Sequence, residues 1–381
     1  MNSYSKWLSA AVMTAVFSSS AYALETKAKN AILMDYDTGE YLMAENAFVP
    51  VAPASMSKLM TVYVLFSKLK DGTLSLEDVF TVSENAWRTG GAASGSSTMF
   101  LPVGGKVKVE DLIKGIIIQS GNDACIVAAE NIAGSEEDFA LLMNEKAKEL
   151  GLKNSHFANS TGLPHPDHRM SVEDLAKLAR AIIHDFPEYY SVFSQKSFTY
   201  NNILQGNRNP LLYSMPNADG LKTGHTSEAG FCLTASVKRG DRRLIGVMTG
   251  LKSNKERSEE AEKLMNWGFR EFDNYEVYKQ FQRIASAPVY MGEEDSIDLV
   301  VKEDVVLTIA RSKIKDLKLT AVYDKPVKAP IEQGQKLGEI KIEIPDGQTK
   351  IVPLYADHSV KRLGFWGRIV SNIKYLLFGA Q

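Results

Sequence analysis

The sequence predicts an α+β fold with an antiparallel sheet, and three observations lead to this prediction. Strand signals lie near both ends of residues 24–275, helical patterns lie between them, and the last two strands, 231–237 and 243–251, are joined by a tight turn. Strands and helices in this order are typical of a sheet packed against helices. The 381 residues are enough for about two or three domains.

The first strand signals are two apolar-rich runs, 31–36 and 40–44, on either side of Asp37-Thr38-Gly39. They predict a β-hairpin with a short glycine-containing loop. Apolar residues at helical spacing, or nearly all round the helix, then predict core helices at 56–69, 112–119, 124–133 and 139–150. The glycine-, alanine- and serine-rich tract 89–97 predicts a flexible loop.

A second unit of short strands is expected after the first. Helical patterns stop near residue 284, and turn signals containing proline or glycine separate alternating runs at 305–309, 317–323, 337–344 and 351–355. Short strands at regular spacing predict a small all-β sandwich domain.

The carboxyl end predicts an amphipathic helix. Apolar residues follow one another three and four positions apart, with basic residues beside them and no acidic residue after Asp357. This pattern is typical of a helix lying on an anionic membrane surface; a helix docked on the protein's own surface is the alternative. The apolar residues are Leu363, Trp366, Val370, Ile373 and Leu377, and the basic residues are Lys361, Arg362, Arg368 and Lys374.

The amino terminus predicts a signal peptide over residues 1–23. Lys6 precedes a short apolar stretch that ends before Ala21-Tyr22-Ala23, a small-x-small sequence of the kind a signal peptidase recognises. The stretch is about half as long as the roughly 20 residues that span a bilayer. The other predicted boundaries are 24–275 for the helix-and-sheet domain, 276–357 for the sandwich and 358–381 for the amphipathic helix.

Composition excludes several classes of function. Lys and Arg total 44 against 46 Asp and Glu, so no overall basic field favours nucleic acid. The two cysteines, Cys125 and Cys232, exclude a disulfide framework, and whether they pair is left open. The segment 165–168 contains residues of the kind that bind metals, but no complete set of ligands is suggested. Neither a metal nor a cofactor is therefore predicted.

Three short motifs carry the candidate chemistry through their order and context. Ser55 and Lys58 open an apolar helix, where residues three apart share a face, so the amine can reach the hydroxyl. Ser120-Gly121-Asn122 separates two buried helical patterns, although both polar residues are also good helix caps. Lys222-Thr223-Gly224 leads into the most strand-like region. Ser-x-x-Lys alone decides nothing, because it occurs five times, starting at Ser3, Ser55, Ser67, Ser312 and Ser371.

With these motifs in this order, the sequence resembles the penicillin-binding, serine-active family that also contains the serine β-lactamases. The match to the low-molecular-mass D-alanyl-D-alanine carboxypeptidases of the penicillin-binding protein 5/6 type is close, and it extends to the 257–269 helix, the sandwich and the basic tail. The resemblance implies a β-lactamase/transpeptidase-like domain. It also implies a serine DD-carboxypeptidase that removes the terminal D-alanine from peptidoglycan stem pentapeptides and is acylated by β-lactams.

The nucleophile is expected to be Ser55, with Lys58 as its base. A serine hydroxyl needs a nearby base, and Lys58 serves as one only if burial and a second cation, for which Lys222 is the obvious neighbour, lower its pKa. The resemblance implies that Ser120 passes a proton to the departing amine and that Asn122 holds Lys58 and the substrate amide.

The substrate is expected to lie against the third motif. The backbone N–H groups of Ser55 and His225 are the predicted oxyanion hole. Thr223 and Arg257 are the candidates for gripping the terminal carboxylate, because the planar guanidinium fork matches a carboxylate. Arg257 as one more solvated helix charge is the alternative. The predicted substrate-binding residues are Lys222, Thr223, Gly224, His225 and Arg257.

Other functions within the same fold are a DD-endopeptidase, a β-lactamase and a non-catalytic sensor of β-lactam or peptidoglycan. A class A β-lactamase uses a glutamate in Glu-x-x-Leu-Asn, and no such string lies between Ser120 and Lys222. A sensor has no use for an activated nucleophile. The predicted partners are a stem peptide ending in D-Ala-D-Ala, β-lactams and an anionic membrane. The predicted location is the outer, periplasmic face of the cytoplasmic membrane.

Overall fold

The structure is a computed structural model that describes residues 24–345 and 349–378, with side chains through Ile373. The predicted signal peptide lies outside these residues. The strands of the first part are β1 (Asn30–Asp35), β2 (Tyr41–Glu45), β3 (Val79–Thr81), β4 (Lys106–Lys108), β5 (Ser197–Tyr200), β6 (Ile203–Gly206), β7 (Ala218–Thr226), β8 (Gly230–Arg239) and β9 (Arg242–Leu251). Its helices are α1 (Lys58–Lys70), α2 (Val109–Lys114), α3 (Asn122–Ala133), α4 (Glu136–Glu149), α5 (Val172–Asp185), α6 (Leu211–Ser214) and α7 (Asn254–Glu271).

Five of these strands form an antiparallel sheet in the order β2-β1-β9-β8-β7. Successive side chains of a strand point to opposite faces, and β1 shows this alternation. Ile32 and Met34 join the core that contains α1, α3 and α5, whereas Ala31 and Leu33 join a second core against α7. The sheet is therefore buried between two helical layers, and the α+β prediction is confirmed.

The early hairpin, the helices α1, α3 and α4 and the strands β8 and β9 occur where the sequence predicted them. The expected helix 112–119 is instead α2 followed by a π-helical turn, Gly115–Gln119. The expected loop 89–97 contains the end of a π-helical turn, Ala86–Gly90, and a 3-10 turn, Ala92–Ser94. Helix α5 was not predicted, although Ser171 caps it by accepting a hydrogen bond from the Asp174 N–H at 3.1 Å.

The second part is the predicted all-β unit. Its six-stranded sheet has the order β14-β16-β17-β12-β11-β15, and β10 and β13 form a separate pair. The predicted boundary after residue 275 falls within β10 and stays a prediction. The strands are β10 (Phe272–Tyr278), β11 (Arg283–Tyr290), β12 (Ser296–Val300), β13 (Val305–Ala310), β14 (Lys318–Tyr323), β15 (Val327–Lys328), β16 (Lys336–Glu343) and β17 (Thr349–Ala356).

The last element, α8 (Phe365–Phe378), is a helix within the predicted range 358–381. Its first turns leave Phe365, Trp366, Val370 and Ile373 exposed, with Trp366 at 77%. Within the described part of the chain, each helix is too short or too polar to cross a bilayer.

A buried carboxylate, Asp35, joins the two parts. One of its oxygens accepts hydrogen bonds from the Thr38 N–H of the hairpin turn at 3.2 Å and from Asn274 Nδ2 of β10 at 3.1 Å. The other oxygen is paired with Arg242 Nε at 2.9 Å, and Arg242 Nη1 donates to the Phe272 carbonyl. One side chain thus connects the hairpin, the start of β9 and the first strand of the second part.

We expect Asp35→Ala to lower the free energy of unfolding by about 3–5 kcal/mol, because it leaves the Arg242 charge without its buried partner. Urea unfolding followed by circular dichroism measures this loss. Lys108→Ala is the matched control, since it breaks an exposed ion pair with Glu77 and is expected to leave the midpoint unchanged. Equal effects of the two substitutions would contradict the role given to Asp35.

Candidate active site

The start of α1 brings the first motif together. Ser55 lies in a 3-10 turn, Ala54–Ser57, and Lys58 is the first residue of the α-helix. Lys58 Nζ lies 3.1 Å from Ser55 Oγ, 2.7 Å from Asn122 Oδ1 and 2.5 Å from the Thr161 carbonyl oxygen. The Lys58 side chain is fully buried, so these three oxygens take the place of water around the amine.

Two glycines allow other chain segments to close on the turn that carries Ser55. Ala54 has φ +48°, in the left-handed region that residues with a side chain seldom adopt. A Cβ at Gly162 would lie 2.2 Å from the Ala54 carbonyl oxygen, and one at Gly224 would lie 3.1 Å from the Pro53 carbonyl oxygen. The close approach at Gly162 therefore requires glycine, whereas a Cβ at Gly224 would make a tight contact.

The second motif supplies two side chains with different surroundings. Asn122 accepts from Lys58 and donates through Nδ2 to Ser96 Oγ at 2.8 Å. Ser120, with φ +64°, has a buried hydroxyl oxygen without a hydrogen-bond partner among the described residues. Gly121 occupies the N-cap of α3, and no side chain caps it, so the helix-cap alternative does not describe Ser120 and Asn122.

The third motif lies on β7. Lys222 is 3% exposed, and its amine donates to the Thr223 carbonyl at 3.1 Å. Burial, with the charge of Lys58 as the next cause, holds the pKa of Lys222 well below its usual range. The two amines are therefore close enough to repel each other when both are charged.

Burial also lowers the pKa of Lys58 to about 8, and the neighbouring cation that lowers it further is Arg208. The sequence had pointed to Lys222 as this second cation. That expectation stays a prediction, and the two lysines do influence each other, since the charge of Lys58 lowers the pKa of Lys222. Asp123 and Glu136 act in the opposite direction and raise the pKa of Lys58.

Arg257 is a buried cation behind β7 and β8, not a solvated charge. It is 6% exposed, and its Nη1 donates to the Cys232 carbonyl at 3.3 Å and approaches the Gly224 carbonyl at 3.5 Å. Burial lowers its pKa to about 10. Gly224 is paired with Cys232 across the two strands, so Arg257 lies directly behind the third motif. The neighbouring ring of His225 lies 4.1 Å from that of Phe231.

Sequence reasoning missed several residues of the site. Thr161 contributes only its carbonyl oxygen, which every residue possesses, so no pattern could have pointed to it. Arg208 follows the β5–β6 ladder and donates to Ser97 Oγ at 2.5 Å. Asp123 directly follows the second motif, and its buried carboxylate accepts from the N–H groups of Met99 and Leu101 at 2.8 and 3.1 Å. This carboxylate fixes the loop beside Asn122.

The sequence also raised the questions of a metal site and of a disulfide. Within residues 24–345 and 349–378, no three His, Cys, Asp or Glu side chains form a group that could hold a metal ion. Cys125 and Cys232 are both buried and unpaired, which answers the question that the sequence left open. Burial raises the pKa of the Cys125 thiol to about 12, so it stays protonated beside the two lysines.

We expect Gly162→Ala to displace the Ser55 turn, because the new methyl group would overlap the Ala54 carbonyl. Labelling by a fluorescent penicillin, which the family resemblance predicts to acylate Ser55, should slow by about 10²-fold or more, since a misplacement of about 1 Å can have that effect. The matched control is Gly151→Ala, which shares a positive φ but has no atom within 4 Å of the added Cβ. Unchanged labelling of Gly162→Ala would refute this packing.

Comparison with known proteins agrees with the fold and shows the family. The D-alanyl-D-alanine carboxypeptidase model of the peptidase S11 family matches residues 16–253, and the model of the penicillin-binding protein 5 C-terminal domain matches residues 272–362. The chain is 43% identical to the D-alanyl-D-alanine carboxypeptidase DacC of Escherichia coli K12, over 89% of this chain and 85% of that protein. It is 41% identical to DacA of the same organism, over 92% and 87% of the two chains.

Solved structures give the same result. The crystal structure of penicillin-binding protein 5 from Haemophilus influenzae superposes with a TM-score of 0.82 and 36% identity, covering 90% of this chain and all of that one. Penicillin-binding protein 6B from Escherichia coli superposes with a TM-score of 0.72 and 39% identity, covering 87% and 95%. The arrangement of two helical layers, sheet and β unit is therefore that of these proteins. The chain belongs to the peptidase S11 family of D-alanyl-D-alanine carboxypeptidases and is an enzyme of that serine-peptidase class.

Proposed function

We propose that the protein removes the terminal D-alanine from peptidoglycan stem pentapeptides through a Ser55 acyl-enzyme, and that β-lactams acylate the same serine. The observation that carries this proposal is the fully buried Lys58 amine, 3.1 Å from the Ser55 hydroxyl. The comparisons support the substrate, because the named relatives are D-alanyl-D-alanine carboxypeptidases. No cofactor is needed for this reaction.

The three oxygens around Lys58 match the three N–H donors of a charged lysine, and the third of these donors points to Ser55 Oγ. A neutral amine has two N–H donors and one lone pair. The Asn122 and Thr161 oxygens can only accept, so in the neutral form they keep the two N–H groups. Loss of the proton that points to Ser55 Oγ then turns the lone pair toward that hydroxyl, and Lys58 can act as its general base.

In the proposed acylation, the Ser55 oxygen attacks the carbonyl carbon of the penultimate D-alanine while its proton passes to Lys58. The bond to the terminal D-alanine then breaks: the Ser120 hydroxyl, unpartnered among the described residues, gives its proton to the leaving nitrogen and takes up the proton that Lys58 gained, so that both groups return to their starting state. Such proton transfers contribute typically about 10²–10⁴-fold. Water hydrolyses the resulting ester and restores Ser55. In the proposed oxyanion hole, the N–H groups of Ser55 and His225 bind the carbonyl oxygen, and one such donor is worth about 10²–10³-fold.

The terminal carboxylate of the substrate is proposed to bind beside Lys222 and Thr223. The charges of Arg208 and Arg257 both lower the pKa of Lys222, so these two cationic side chains lie near this strand. An electropositive site of this kind attracts an anionic chain end. Because Arg257 Nη1 also donates to the Cys232 carbonyl, we infer that this residue supports β7 from behind as well as attracting the carboxylate.

The protein is further proposed to be exported and held at the outer face of the cytoplasmic membrane through α8. The exposed Phe365, Trp366, Val370 and Ile373 form an apolar surface, and Lys361, Arg362 and Arg368 supply positive charge nearby. Each basic residue contributes about 1 kcal/mol near anionic lipid. The sandwich would then hold the catalytic part away from the membrane, a role that follows from the resemblance.

We expect Ser55→Ala to abolish both β-lactam labelling and release of D-alanine from a pentapeptide. Mass spectrometry of the protein mixed with the pentapeptide measures the adduct and the free amino acid together. Ser67→Ala is the matched control, because Ser67 begins a second Ser-x-x-Lys sequence on the same helix, but its hydroxyl donates to the Tyr63 carbonyl. Release of D-alanine by the Ser55 variant would end the proposal.

We expect removal of residues 365–381 to abolish binding to anionic vesicles and to leave D-alanine release unchanged. The cut follows Gly364, because Val360 is buried and pairs with Ile331 of the sandwich. Co-sedimentation with vesicles of anionic or neutral lipid measures binding. Trp366→Ser should weaken it, whereas Leu141→Ser, at an exposed apolar position on α4, should not. Sedimentation of the truncated protein with vesicles would contradict the anchor.

A further inference from the structure

A buried histidine contacts the turn that carries the proposed nucleophile. His168 is 2% exposed, and its Nε2 lies 2.6 Å from the hydroxyl oxygen of Ser57, which is fully buried. Ser57 stands between Ser55 and Lys58 in sequence. The proposed reaction makes no direct use of either His168 or Ser57.

The surrounding hydrogen bonds settle which ring nitrogen carries the proton. The Ala158 N–H donates to His168 Nδ1 at 3.2 Å, so Nδ1 is the acceptor. In the neutral imidazole the other nitrogen is then the donor, and Nε2–H donates to Ser57 Oγ. The ring of Phe157 meets the imidazole edge-on at 5.6 Å and closes the pocket.

His168 belongs to the loop that supplies an acceptor to Lys58. Between Ala158 and His168 the chain presents the Thr161 carbonyl to the Lys58 amine and the Ser160 carbonyl to Thr61 Oγ1 at 2.6 Å. The hydrogen bond from His168 to Ser57 is a third attachment of this loop to the first turns of α1. It also comes from the far end of the loop, next to the exposed segment 163–167.

We propose that His168 is a positioning residue for the proposed base: through Ser57 it keeps the loop 158–168 closed over Lys58 and so keeps the amine out of water. The inference rests on the proposed role of Lys58. Burial is the largest cause of the lowered pKa of Lys58, about 8. An open loop would admit water and move that pKa up toward its ordinary value of 10.5.

The direction in which the pH profile of acylation should move follows from the form of Lys58 that is active. The free amine accepts the proton, so acylation speeds up as the pH rises toward the pKa of Lys58 and then levels off. Loss of the Thr161 acceptor alone would lower the pKa of Lys58. Entry of water reverses the effect of burial, which is the larger cause, so the net change in this pKa is upward. The rising limb therefore moves to higher pH, with about a tenfold loss of rate at neutral pH for each pKa unit.

His168 itself does not titrate in this range. Burial lowers its pKa to about 4, and the cationic or protonatable groups that face it lower it further. These groups are His165 of its own loop, His156 and Arg169 on either side of that loop, and Lys58 of α1. The imidazole is therefore neutral throughout a profile measured between about pH 6 and 11.

The experiment measures the rate of acylation by a fluorescent penicillin against pH in full-length variants. Ser57→Ala and His168→Asn each remove the bond between the two side chains, and each should move the rising limb upward by about one pH unit. The loss should be about tenfold at pH 7 and should disappear near pH 10 to 11. The double variant should lose no more than either single one, because both substitutions delete the same contact.

Two further variants serve as matched controls. His168→Gln places an amide N–H where Nε2–H was, and its profile should return toward that of the unchanged protein. His156→Asn changes an exposed histidine just before the loop, whose Nδ1 bonds to the Asp167 carbonyl, and should leave the profile unchanged. Circular dichroism shows that each variant is folded.

A loss of rate that is the same at every pH, or profiles that do not move in Ser57→Ala and His168→Asn, would overturn the inference. Failure of the proposed function has a different signature. In that case the unchanged protein would lack a rising limb near pH 8, or Ser55→Ala would still be labelled.

Discussion

The active site depends on the amine of Lys58, which is fully buried beside the hydroxyl of Ser55. Lys58 has exchanged its hydration shell for three oxygens, and when it loses one proton it still donates to two of them and can accept from the Ser55 hydroxyl. Burial lowers the pKa of Lys58 to about 8, as a base that works near neutral pH requires. A solvated lysine in the same place would stay charged.

Keeping that amine dry requires several distant segments of chain. The turn at Ser55, the start of α3 and the loop around Thr161 meet at Lys58, and β7 closes on the same turn through Gly224. The sheet supports this arrangement, because helical layers pack against both of its faces. Interiors packed in this way transmit small displacements, so the geometry at Ser55 is sensitive to side chains that never touch a substrate.

Sequence reasoning reached the fold and the three motifs because both leave local patterns: apolar periodicity for the helices and strands, and charged or hydroxyl residues at fixed spacing for the site. It could not reach contributions made by the backbone, such as the Thr161 carbonyl, or by a cation distant in sequence, such as Arg208. Helix α5 had a readable serine cap, whereas the π-helical turn before Ser120 depends on tertiary packing. The histidines near residue 165 suggested metal ligands, but His168 is a buried donor to Ser57.

The carboxylate of Asp35 has a consequence for how the enzyme meets a polymer. It serves the hairpin, Arg242 and Asn274 at once, and Arg242 in turn holds the first residue of β10. These contacts connect the sheet that carries the active site to the first strand of the β unit. If the tail rests on a bilayer, the size of the β unit sets how far above the membrane the active site lies, and the contacts of Asp35 oppose tilting of one part against the other.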